Sequence, residues 1–571
     1  MRYLRLRLRS TILFSLTTLS LFCLLTFHTL LWSTAELDKQ DRIAKAPKSP
    51  DGISFFSALN QENIYDLKAT KSIKLTNHYS HITRQRIDEL FQLVRHARND
   101  QIDSFNIKKY YPLDSTWNFK RFVEQRSQNV NNDTNTHADT ADSVGMKMNN
   151  SKLQVNFTTA EKTMNEYDKK QLRYFIHYEL HKWKQEHFDD KSVSLADIMH
   201  DALAQDEPQI LNTTWFQYIK TVTNFHIYNP HSPEFKNLLK ILRYGQIFEA
   251  NEMSQGTQIK VVLNLLSGFQ AVLKPYRVPR NYQTLPDHFY FSDIERHHAE
   301  IAAFHVDKIL GFNRVPPVIG RFLNITSDIR EKATEELAKT FFISPVSELF
   351  VLANNTCFRG HCSYYCDTSH AVCGKPGDRL EGSVQVLLPR PPEINWQKIT
   401  HPYRRSYSSL RQAKWESNEN YCYESVMIDE DYHNRLLLDM MDLSAFDFLI
   451  GNLDRHHMMR INSFGTNTGL VHLDNGRSFG RYDSDDLSIL SPIRQCCFFR
   501  YTTFARLYRV YQQGLSKLVS ESLKTNEALQ MILIDEHLIA IDRRLEILFA
   551  HLDTCIKTYT VKGVMIDDGI D

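Results

Sequence analysis

Two acidic residues, Asp454 and Asp474, each lie in a polar turn that directly follows an apolar run of the sequence. Phe446–Ile450 is apolar enough to form the end of a buried helix before the first turn. Leu470–Leu473 predicts a short buried strand before the second turn. This layout suits phosphoryl transfer to a hydroxyl group, because one acid accepts the hydroxyl proton and the other holds the metal ion on the nucleotide phosphates.

A lysine and a glutamate upstream extend this set. Gln258–Leu265 and Gln270–Lys274 flank a Ser-Gly turn and predict a β-hairpin. Lys274 ends the second strand, and Glu295 lies near the start of a predicted helix with Ser292 as its N-cap. A strand lysine followed by a helix carboxylate matches the pair that positions the nucleotide phosphates in kinases. Each residue alone has an ordinary explanation as a surface lysine or a turn aspartate, but their order along the chain favours phosphoryl transfer.

The stretches GNLDRHH and HLDNGRSFG resemble the secretory-pathway kinases that include the Golgi casein kinase and the glycosaminoglycan xylosylkinase. These atypical kinases carry DRHH, and DN followed by Gly or Ala, where ordinary kinases carry HRD and DFG. The resemblance covers about residues 215–556. Together with the strand-rich and helix-rich halves of the chain, it implies an α+β, two-lobed atypical protein-kinase-like fold.

The same resemblance implies a set of functional residues. ATP with Mn²⁺ or Mg²⁺ would be the cofactor, Asp454 the catalytic base, and Glu295 and Asp474 the metal ligands, which offer the hard oxygen donors that these ions prefer. His456 would help to orient Asp454. The nucleotide contacts implied by the resemblance are Gln258, Lys260, Lys274, Asp474 and the hinge residues Gln385, Val386, Leu387 and Leu388.

One position departs from the family pattern. Five residues after the catalytic aspartate, ordinary kinases carry an Asn metal ligand and the secretory kinases a Glu, but this chain carries Met459. A thioether is a poor ligand for Mg²⁺ or Mn²⁺. Two interpretations stay open, an enzyme that relies on Glu295 and Asp474 alone, or a pseudokinase that activates a related kinase by binding it. Since the base, the lysine and two acids remain, the sequence favours the enzyme.

The acceptor also stays open between serine in Ser-x-Glu motifs of secreted proteins and xylose in proteoglycan linkers. The spacing of Cys362 and Cys366, together with His472 and Gly476, resembles the extracellular serine/threonine protein kinase branch. Glu295 is present where the inactive branch lacks the acid. We therefore expect secreted proteins as substrates, and a homodimer or a heterodimer with a related family member. The net charge of +1 gives no indication of a nucleic-acid partner.

The N-terminus has the pattern of a targeting segment. Four arginines lie within residues 1–10, and Thr11–Trp32 is uncharged and long enough to span a bilayer. A signal peptide cleaved near Ser33-Thr34-Ala35 is the alternative. Either way the chain is expected in the Golgi lumen, as a type II membrane protein or secreted after cleavage.

The composition along the chain predicts five regions. Residues 1–10 form a cytosolic tail, 11–32 a signal anchor, 33–165 a lumenal stem, 166–384 an N-terminal segment and N-lobe with a cystine-rich insert, and 385–571 the hinge and C-lobe. Within the stem, residues 127–160 are rich in Asn, Asp, Ser and Thr and predict a disordered linker. Thr83–Asn99 has helical periodicity, with Ile87, Leu90, Phe91 and Val94 on one face.

Eight cysteines follow the N-terminal segment, and an oxidising lumen favours disulfides over a metal cluster. Spacing alone leaves the pairing open. The pairs implied by the resemblance are Cys357–Cys373, Cys362–Cys366, Cys422–Cys496 and Cys497–Cys555. The predicted N-glycosylation sites are Asn132, Asn149, Asn156, Asn212, Asn324 and Asn354.

Overall fold

The structure, a computed structural model, describes ten segments of the chain. They are residues 82–99, 109, 111–126, 164–187, 192–199, 213–253, 256–285, 293–346, 352–406 and 411–569. All of them belong to one compact unit, His78–Asp571. The predicted anchor, the linker and the sequons Asn132, Asn149, Asn156 and Asn212 lie outside these segments. Among the helices of the described segments, none combines the length and the apolar composition needed to span a membrane.

The helices have the following bounds, in chain order. They are α1 (Arg84–Asn99), α2 (Glu166–Glu186), α3 (Thr214–Ile219), α4 (Pro233–Tyr244), α5 (His297–Leu310), α6 (Glu335–Ala338), α7 (Lys414–Ser417), α8 (Arg435–Ile450), α9 (Ser491–Cys496), α10 (Tyr501–Gln513), α11 (Leu515–Asn526) and α12 (Asp535–Val564). The last of these has a break in its helical backbone at Thr560.

The strands are short, and all of them lie after residue 246 of the chain. They are β1 (Ile247–Glu252), β2 (Val261–Leu265), β3 (Gln270–Pro275), β4 (Val318–Asn324), β5 (Phe341–Val346), β6 (Leu352–Phe358), β7 (Val372–Cys373), β8 (Arg379–Val386), β9 (Trp396–Thr400), β10 (His457–Ile461), β11 (Leu470–Val471), β12 (Phe499–Arg500) and β13 (Met565–Ile566).

A five-stranded antiparallel sheet, in the order β1-β2-β3-β8-β4, forms the sheet lobe together with α5. The alternation of β2 buries Val261, Leu263 and Leu265, as a half-buried strand requires. Gly382 of β8 lies opposite Pro275, and a Cβ there would come within 2.9 Å of the Lys274 carbonyl oxygen. The glycine therefore lets β8 approach the strand that carries Lys274.

Helix α5 lies against this sheet and is buried along almost its whole length. It begins at His297, with Arg296 in the N-cap position and no side-chain cap. The predicted N-cap Ser292 lies outside the described residues, and Glu295 precedes the helix instead of lying in its first turn. The helix therefore begins later than the sequence pattern predicts, because the turn before α5 is fixed by tertiary contacts such as Arg296 N–H donating to Gly476 O at 2.6 Å.

The helical lobe, formed by α8–α12, is built around α8, of which every residue is buried. The helix ends at Gly451, whose φ of 70° is the left-handed conformation of a helix C-terminus. Two backbone N–H groups beyond the helix donate hydrogen bonds to its last carbonyl groups. Gly451 N–H donates to Phe448 O, and Asn452 N–H donates to Asp447 O. The predicted buried helix that leads into the first acidic turn is therefore confirmed.

A buried network of charges joins α8 to its neighbours. Asp439 pairs with Arg314 Nη1 at 3.1 Å, Arg435 Nε at 3.0 Å and Arg500 Nη2 at 2.9 Å. Arg500 also pairs with Asp568 at 2.8 Å, near the end of the chain. Burial opposes ionisation of Asp439, but these three guanidinium groups hold its pKa well below the ordinary value. The network fixes α8, and with it the loop that follows, to the C-terminal segment.

Helix α1 confirms the predicted helical face of the stem but changes the predicted boundary. Its residues Ile87, Leu90 and Val94 are fully buried, and Arg86 Nη2 pairs with Asp553 of α12 at 2.7 Å. Phe91 stacks on Tyr508 with ring centroids 3.8 Å apart. The folded unit therefore includes residues before 166, because the apolar face of α1 finds its partner more than 400 residues later in the chain.

The structure pairs the eight cysteines in the four disulfides implied by the resemblance, Cys357–Cys373, Cys362–Cys366, Cys422–Cys496 and Cys497–Cys555. The first two lie in the insert, where β5, β6 and β7 form a three-stranded sheet. The last two join α9 and its neighbour Cys497 to the turn before α8 and to α12. Of the predicted glycosylation sites, Asn324 ends β4 and caps the next turn, and Asn354 lies in β6.

Candidate active site

A cleft of about 850 Å³ lies between the sheet lobe and the loops that follow α8 and β11. It brings together residues from widely separated parts of the sequence. The predicted site residues that line it are Lys260, Lys274, Glu295, Gln385, Leu387, Asp454 and Asp474. The cleft is large enough for a nucleotide, since small-molecule pockets commonly measure about 300–1,000 Å³.

Lys274 is the centre of the charge arrangement on the sheet side of the cleft. Its Nζ lies 2.5 Å from Glu300 Oε1, 3.0 Å from Glu295 Oε2 and 3.6 Å from Asp474 Oδ1. Burial alone would lower the pKa of Lys274, but the three carboxylates raise it well above its ordinary value. Lys274 is therefore a permanently charged group beside the position expected for the nucleotide phosphates.

Glu300 is the functional residue of this cluster that the sequence analysis missed. Its side chain is only 1% exposed, and it lies in the first turn of α5. An acid next to Ile301 and Ala302 in a largely apolar helix is a signal, because an acid is almost never fully buried without a partner. The partner could not be identified locally, since Lys274 lies on a different element.

Glu295 lies in the turn before α5 and faces the second acidic loop. Burial would raise its pKa, but Lys274 and Lys260 lower it to about 2. A Cβ at Gly476 would come within 3.1 Å of Glu295 Cβ, so the glycine allows the two loops to approach. Glu295 Oε2 is paired with Lys274 and accepts no other hydrogen bond within the described residues.

Asp474 follows β11 and has a φ of 55°, a left-handed conformation that is strained for a non-glycine residue. Its side chain is 60% exposed towards the cleft. Burial of the site opposes ionisation, but Lys260 and Lys274 hold the pKa of Asp474 well below its ordinary value. Arg455 fixes the loop around it by donating to the Leu473 carbonyl oxygen and to Asn475 Oδ1.

Asp454 lies on the opposite side of the cleft, in the loop after α8. Its backbone N–H donates to Asn452 Oδ1 at 3.1 Å, and its Oδ2 is paired with Arg477 Nη1. Its Oδ1 lies 3.5 Å from His456 Nδ1. The hydrogen bond to Asp454 raises the pKa of His456, with burial acting in the other direction. One carboxylate oxygen is thus fixed by Arg477, whereas the other has only the longer contact with His456.

Met459 lies in β10, the central strand of the three-stranded sheet β11-β10-β9, and lines the cleft. The strand register places it opposite Val471 on one side and Lys398 on the other. Lys398 is exposed and also lines the cleft. The position that the sequence analysis identified as unusual is therefore at the site, and its side chain adds no charge there.

The predicted nucleotide contacts are only partly at the cleft. Gln385 and Leu387 line it, and the side chains of Val386 and Leu388 are buried, which leaves the predicted backbone contacts of these hinge residues a prediction. Gln258 is only 2% exposed, and its Nε2 donates to Asp293 O at 3.0 Å. The structure does not place Gln258 at the cleft, because β2 begins three residues later and the side chain turns towards the loop before α5.

The fold and the site define the class of protein. A buried strand lysine paired with acids around the following helix, and two loop aspartates across one cleft, are the arrangement of the protein-kinase-like fold. The family described as Fam20C, the Golgi casein kinase C-terminal domain of Fam20, matches residues 213–564. The chain therefore belongs to the Fam20 kinase family.

The similar proteins in this family are named as a protein kinase, a pseudokinase and a xylosylkinase. The chain is 42% identical over 357 residues to the human extracellular serine/threonine protein kinase FAM20C, a match that covers 62% of this chain and 60% of that protein. It is 36% identical to the human pseudokinase FAM20A over 63% of this chain and 69% of that one. It is 35% identical to the human glycosaminoglycan xylosylkinase, over 64% of this chain and 86% of that one.

A solved structure agrees with the fold. The chain is similar to the crystal structure of the Golgi casein kinase with Mn/ADP bound, with a TM-score of 0.60 and 37% identity. That similarity covers 73% of this chain and 96% of the other. The mixed helix and sheet architecture is therefore that of the Golgi casein kinase.

Proposed function

We propose that this chain transfers the γ-phosphate of ATP to serine hydroxyls of secreted proteins, in Ser-x-Glu motifs. The observation that carries the proposal is the convergence of Lys274, Glu295, Asp454 and Asp474 on one cleft from separate elements. A structural explanation for each residue alone does not account for their convergence. Phosphoryl transfer depends mainly on positioning and on charge neutralisation, which is what such a cleft provides.

A divalent cation fits the residues of the site. Glu295 and Asp474 offer ionised carboxylate oxygens, and both lie next to Lys274. The similar structure with Mn/ADP bound supports the choice of Mn²⁺ with a nucleotide. When bound, the ion would neutralise the charge of the triphosphate. Among the described residues these two acids, with no soft donor, are the groups that would hold it.

Each residue of the site has a separate role in the proposed reaction. Asp454 Oδ1 accepts the proton of the serine hydroxyl. At the same time the serine oxygen forms a bond to the γ-phosphorus, and the bond between the γ-phosphorus and the bridging oxygen of the β-phosphate breaks. Lys274 holds the α- and β-phosphates in place, and Glu300 and Glu295 hold Lys274. A base of this kind contributes roughly 10²–10⁴-fold to the rate.

The protein acceptor is favoured by two features. The chain is similar to proteins named extracellular serine/threonine protein kinases, with higher identity than to the xylosylkinase. The Cys362–Cys366 disulfide closes a loop at the mouth of the cleft, with the spacing that resembles the protein-kinase branch. Secreted substrates imply a lumenal enzyme, and the uncharged segment 11–32 would direct it there as an anchor or a cleaved signal. A related family member is proposed as partner in a dimer.

Met459 favours a second candidate function. Without a carboxylate at this position, the chain would bind nucleotide with Glu295 and Asp474 and act as an activator of an active relative, and the similarity to the pseudokinase FAM20A supports this alternative. The presence of Asp454 favours the catalytic function over the activator function, since an activator does not need a base.

The experiment that tests the proposal uses the purified lumenal chain with labelled ATP and Mn²⁺. Casein and a xylosylated tetrasaccharide are offered as separate acceptors, and a chelator is added in a control reaction. Transfer to casein that stops with the chelator is the expected result. Transfer to the tetrasaccharide alone would assign the chain to glycan phosphorylation, and transfer to neither, with nucleotide still bound, would favour the activator.

A further inference from the structure

The guanidinium group of Arg477 connects the two sides of the cleft. Its Nη1 is paired with Asp454 Oδ2, and its Nη2 donates to Thr257 Oγ1 at 2.9 Å. Asp454 belongs to the helical lobe, whereas Thr257 lies in the turn between β1 and β2 of the sheet lobe. The side chains of Asp454 and Arg477 are each about nine-tenths buried, so solvent screens this contact little.

The turn that carries Thr257 is itself held by the disulfide-closed loop Cys362–Cys366. Ser363 N–H donates to Gly256 O at 3.0 Å, and Tyr365 N–H donates to Thr257 O at 3.0 Å. His361, just before the loop, pairs with Glu252 at the end of β1 at 2.8 Å. The loop therefore fixes the backbone of the turn from its outer side while Arg477 binds its side chain from the cleft.

We propose that Arg477 is a positioning residue for Asp454, and that it holds the carboxylate through a cross-cleft bridge made of Thr257, Arg477 and Asp454. The bridge rests on the proposed function of Asp454 as the base. Because Oδ2 is fixed by Arg477, Oδ1 is the oxygen that faces a hydroxyl donor. The loop Cys362–Cys366 supports the bridge through the turn, so the disulfide acts on the base without touching it.

The geometry makes Arg477 suited to this task. A guanidinium group offers several donors in a fixed plane and can bind a carboxylate and a hydroxyl at the same time. An ammonium group has no such planar fork and would not hold both partners in the same orientation. The Nε of Arg477 is buried and donates no hydrogen bond within the described residues, so the two Nη groups carry both contacts of the bridge.

The first test removes the hydroxyl of Thr257 with little change of shape. In Thr257→Val we expect kcat for phosphate transfer to fall on the order of tenfold, the loss typical of a hydrogen bond to a charged group, with KM for ATP within about twofold of the parent. Thr257→Ser keeps the hydroxyl and restores turnover. Thr558→Val, a matched change on the exposed face of α12, leaves both constants unchanged. An equal rise in KM would mean that Thr257 binds the nucleotide directly, and would overturn the proposal.

The second test measures coupling within the bridge. Arg477→Lys should also lower kcat, and Thr257→Val should have little further effect in that background, because both changes break the same contact. Replacing Cys362 and Cys366 by Ala should lower kcat in the same way and should likewise not add to Thr257→Val. Fully additive effects in both cycles would contradict a bridge that acts as one unit.

A third measurement does not depend on activity. Hydrogen exchange at the Ser363 and Tyr365 amides reports whether the turn is held, since both amides donate to it. We expect faster exchange at these amides in Arg477→Lys than in the parent, and unchanged exchange overturns the bridge. If the parent transfers no phosphate, the proposed function fails, while this measurement still decides whether the bridge exists.

Discussion

At the scale of single residues, the site depends on the ion pairs that one buried lysine forms with three neighbouring carboxylates. Lys274 lies between Glu300 on α5 and Glu295 in the turn before it, and Asp474 lies 3.6 Å away. The two glutamates have different environments, because Glu300 is fully buried whereas Glu295 lines the cleft. Glu300 therefore anchors Lys274, and Glu295 remains available to a metal ion.

The first prediction concerns this division of tasks. Glu300→Gln removes the charge but little volume, so we expect the free energy of unfolding to fall by roughly 1.5–3 kcal/mol and nucleotide affinity to fall as well. The matched control is Glu335→Gln, which breaks an exposed pair with Lys339 and should change stability by about 0–1 kcal/mol. Denaturant unfolding and ADP binding measure both quantities. Equal effects of the two changes would show that Glu300 does not anchor Lys274.

The second prediction concerns Met459. Met459→Glu places a hard oxygen donor at the cleft, so we expect a higher kcat or tighter metal-dependent ATP binding. Met459→Gln is the control, since it has a similar size without the charge. Restoration of transfer in an inert parent would establish the pseudokinase interpretation. No change in an active parent would mean that the side chain at position 459 does not contribute to metal binding.

The residues that the sequence identified are those with a local signal. Asp454 and Asp474 were found because each ends an apolar run in a recognisable turn. Glu300 and Arg477 were missed because their roles depend on partners in other elements, Lys274 in one case and Asp454 and Thr257 in the other. Gln258 stays a predicted nucleotide contact, but its Nε2 donates to Asp293 O, a partner 35 residues away that no local pattern of the sequence indicates.

At the scale of elements, the periodic segments were predicted well. The hairpin β2–β3 and helix α8 are present as predicted, although β2 begins at Val261 instead of Gln258, since alternation and a continuous apolar run are strong local signals. The start of α5 and the start of the folded unit were wrong. Both are decided by long-range contacts, such as the pair of Arg86 with Asp553, that no local pattern contains.

The third prediction concerns the disulfides that join these elements. Cys497–Cys555 closes a loop of 58 residues and Cys357–Cys373 one of 16 residues. In the chain-entropy model the larger loop gives the larger stabilisation, by about 1 kcal/mol for this difference. Replacing both cysteines by Ala should therefore lower the unfolding midpoint more for the first pair than for the second. The reverse order would mean that local packing outweighs the loop entropy.

The same bonds predict the thiol content of the chain. With all eight cysteines paired, no thiol should react with a maleimide in the native protein outside the N-terminal segment. The control is the same chain after reduction and unfolding, in which all of them should react. Two or more reactive thiols in the native chain would contradict the pairing.

At the scale of the whole molecule, several histidines are buried in the neutral form. Burial lowers the pKa of His226 to about 4 and the pKa values of His401 and His537 to about 3, and nearby arginines act in the same direction. His401 Nδ1 accepts a hydrogen bond from Tyr403 N–H at 3.1 Å, which requires that this nitrogen is unprotonated. These groups bind protons more readily in the unfolded chain than in the native one.

The fourth prediction follows from this difference. Unfolded histidines titrate near pH 6.5, so between about pH 6.5 and pH 4 the unfolded state binds more protons and stability falls as the pH falls. We expect a lower thermal midpoint at about pH 5 than at about pH 7. His401→Asn keeps an acceptor for Tyr403 N–H without a titrating ring, so its midpoint should change less with pH. A midpoint that rises on acidification would contradict the neutral state of these histidines.

The proposed function depends on Asp454 acting as the base of a phosphoryl transfer. The most direct measurement compares the parent with Asp454→Ala for the rate of transfer from ATP to casein and for the affinity of Mn²⁺–ADP. We expect the rate to fall by roughly 10²–10⁴-fold while nucleotide affinity stays nearly unchanged, because a base acts in the transition state. A rate within about tenfold of the parent, or a parallel loss of nucleotide binding, would contradict the assignment.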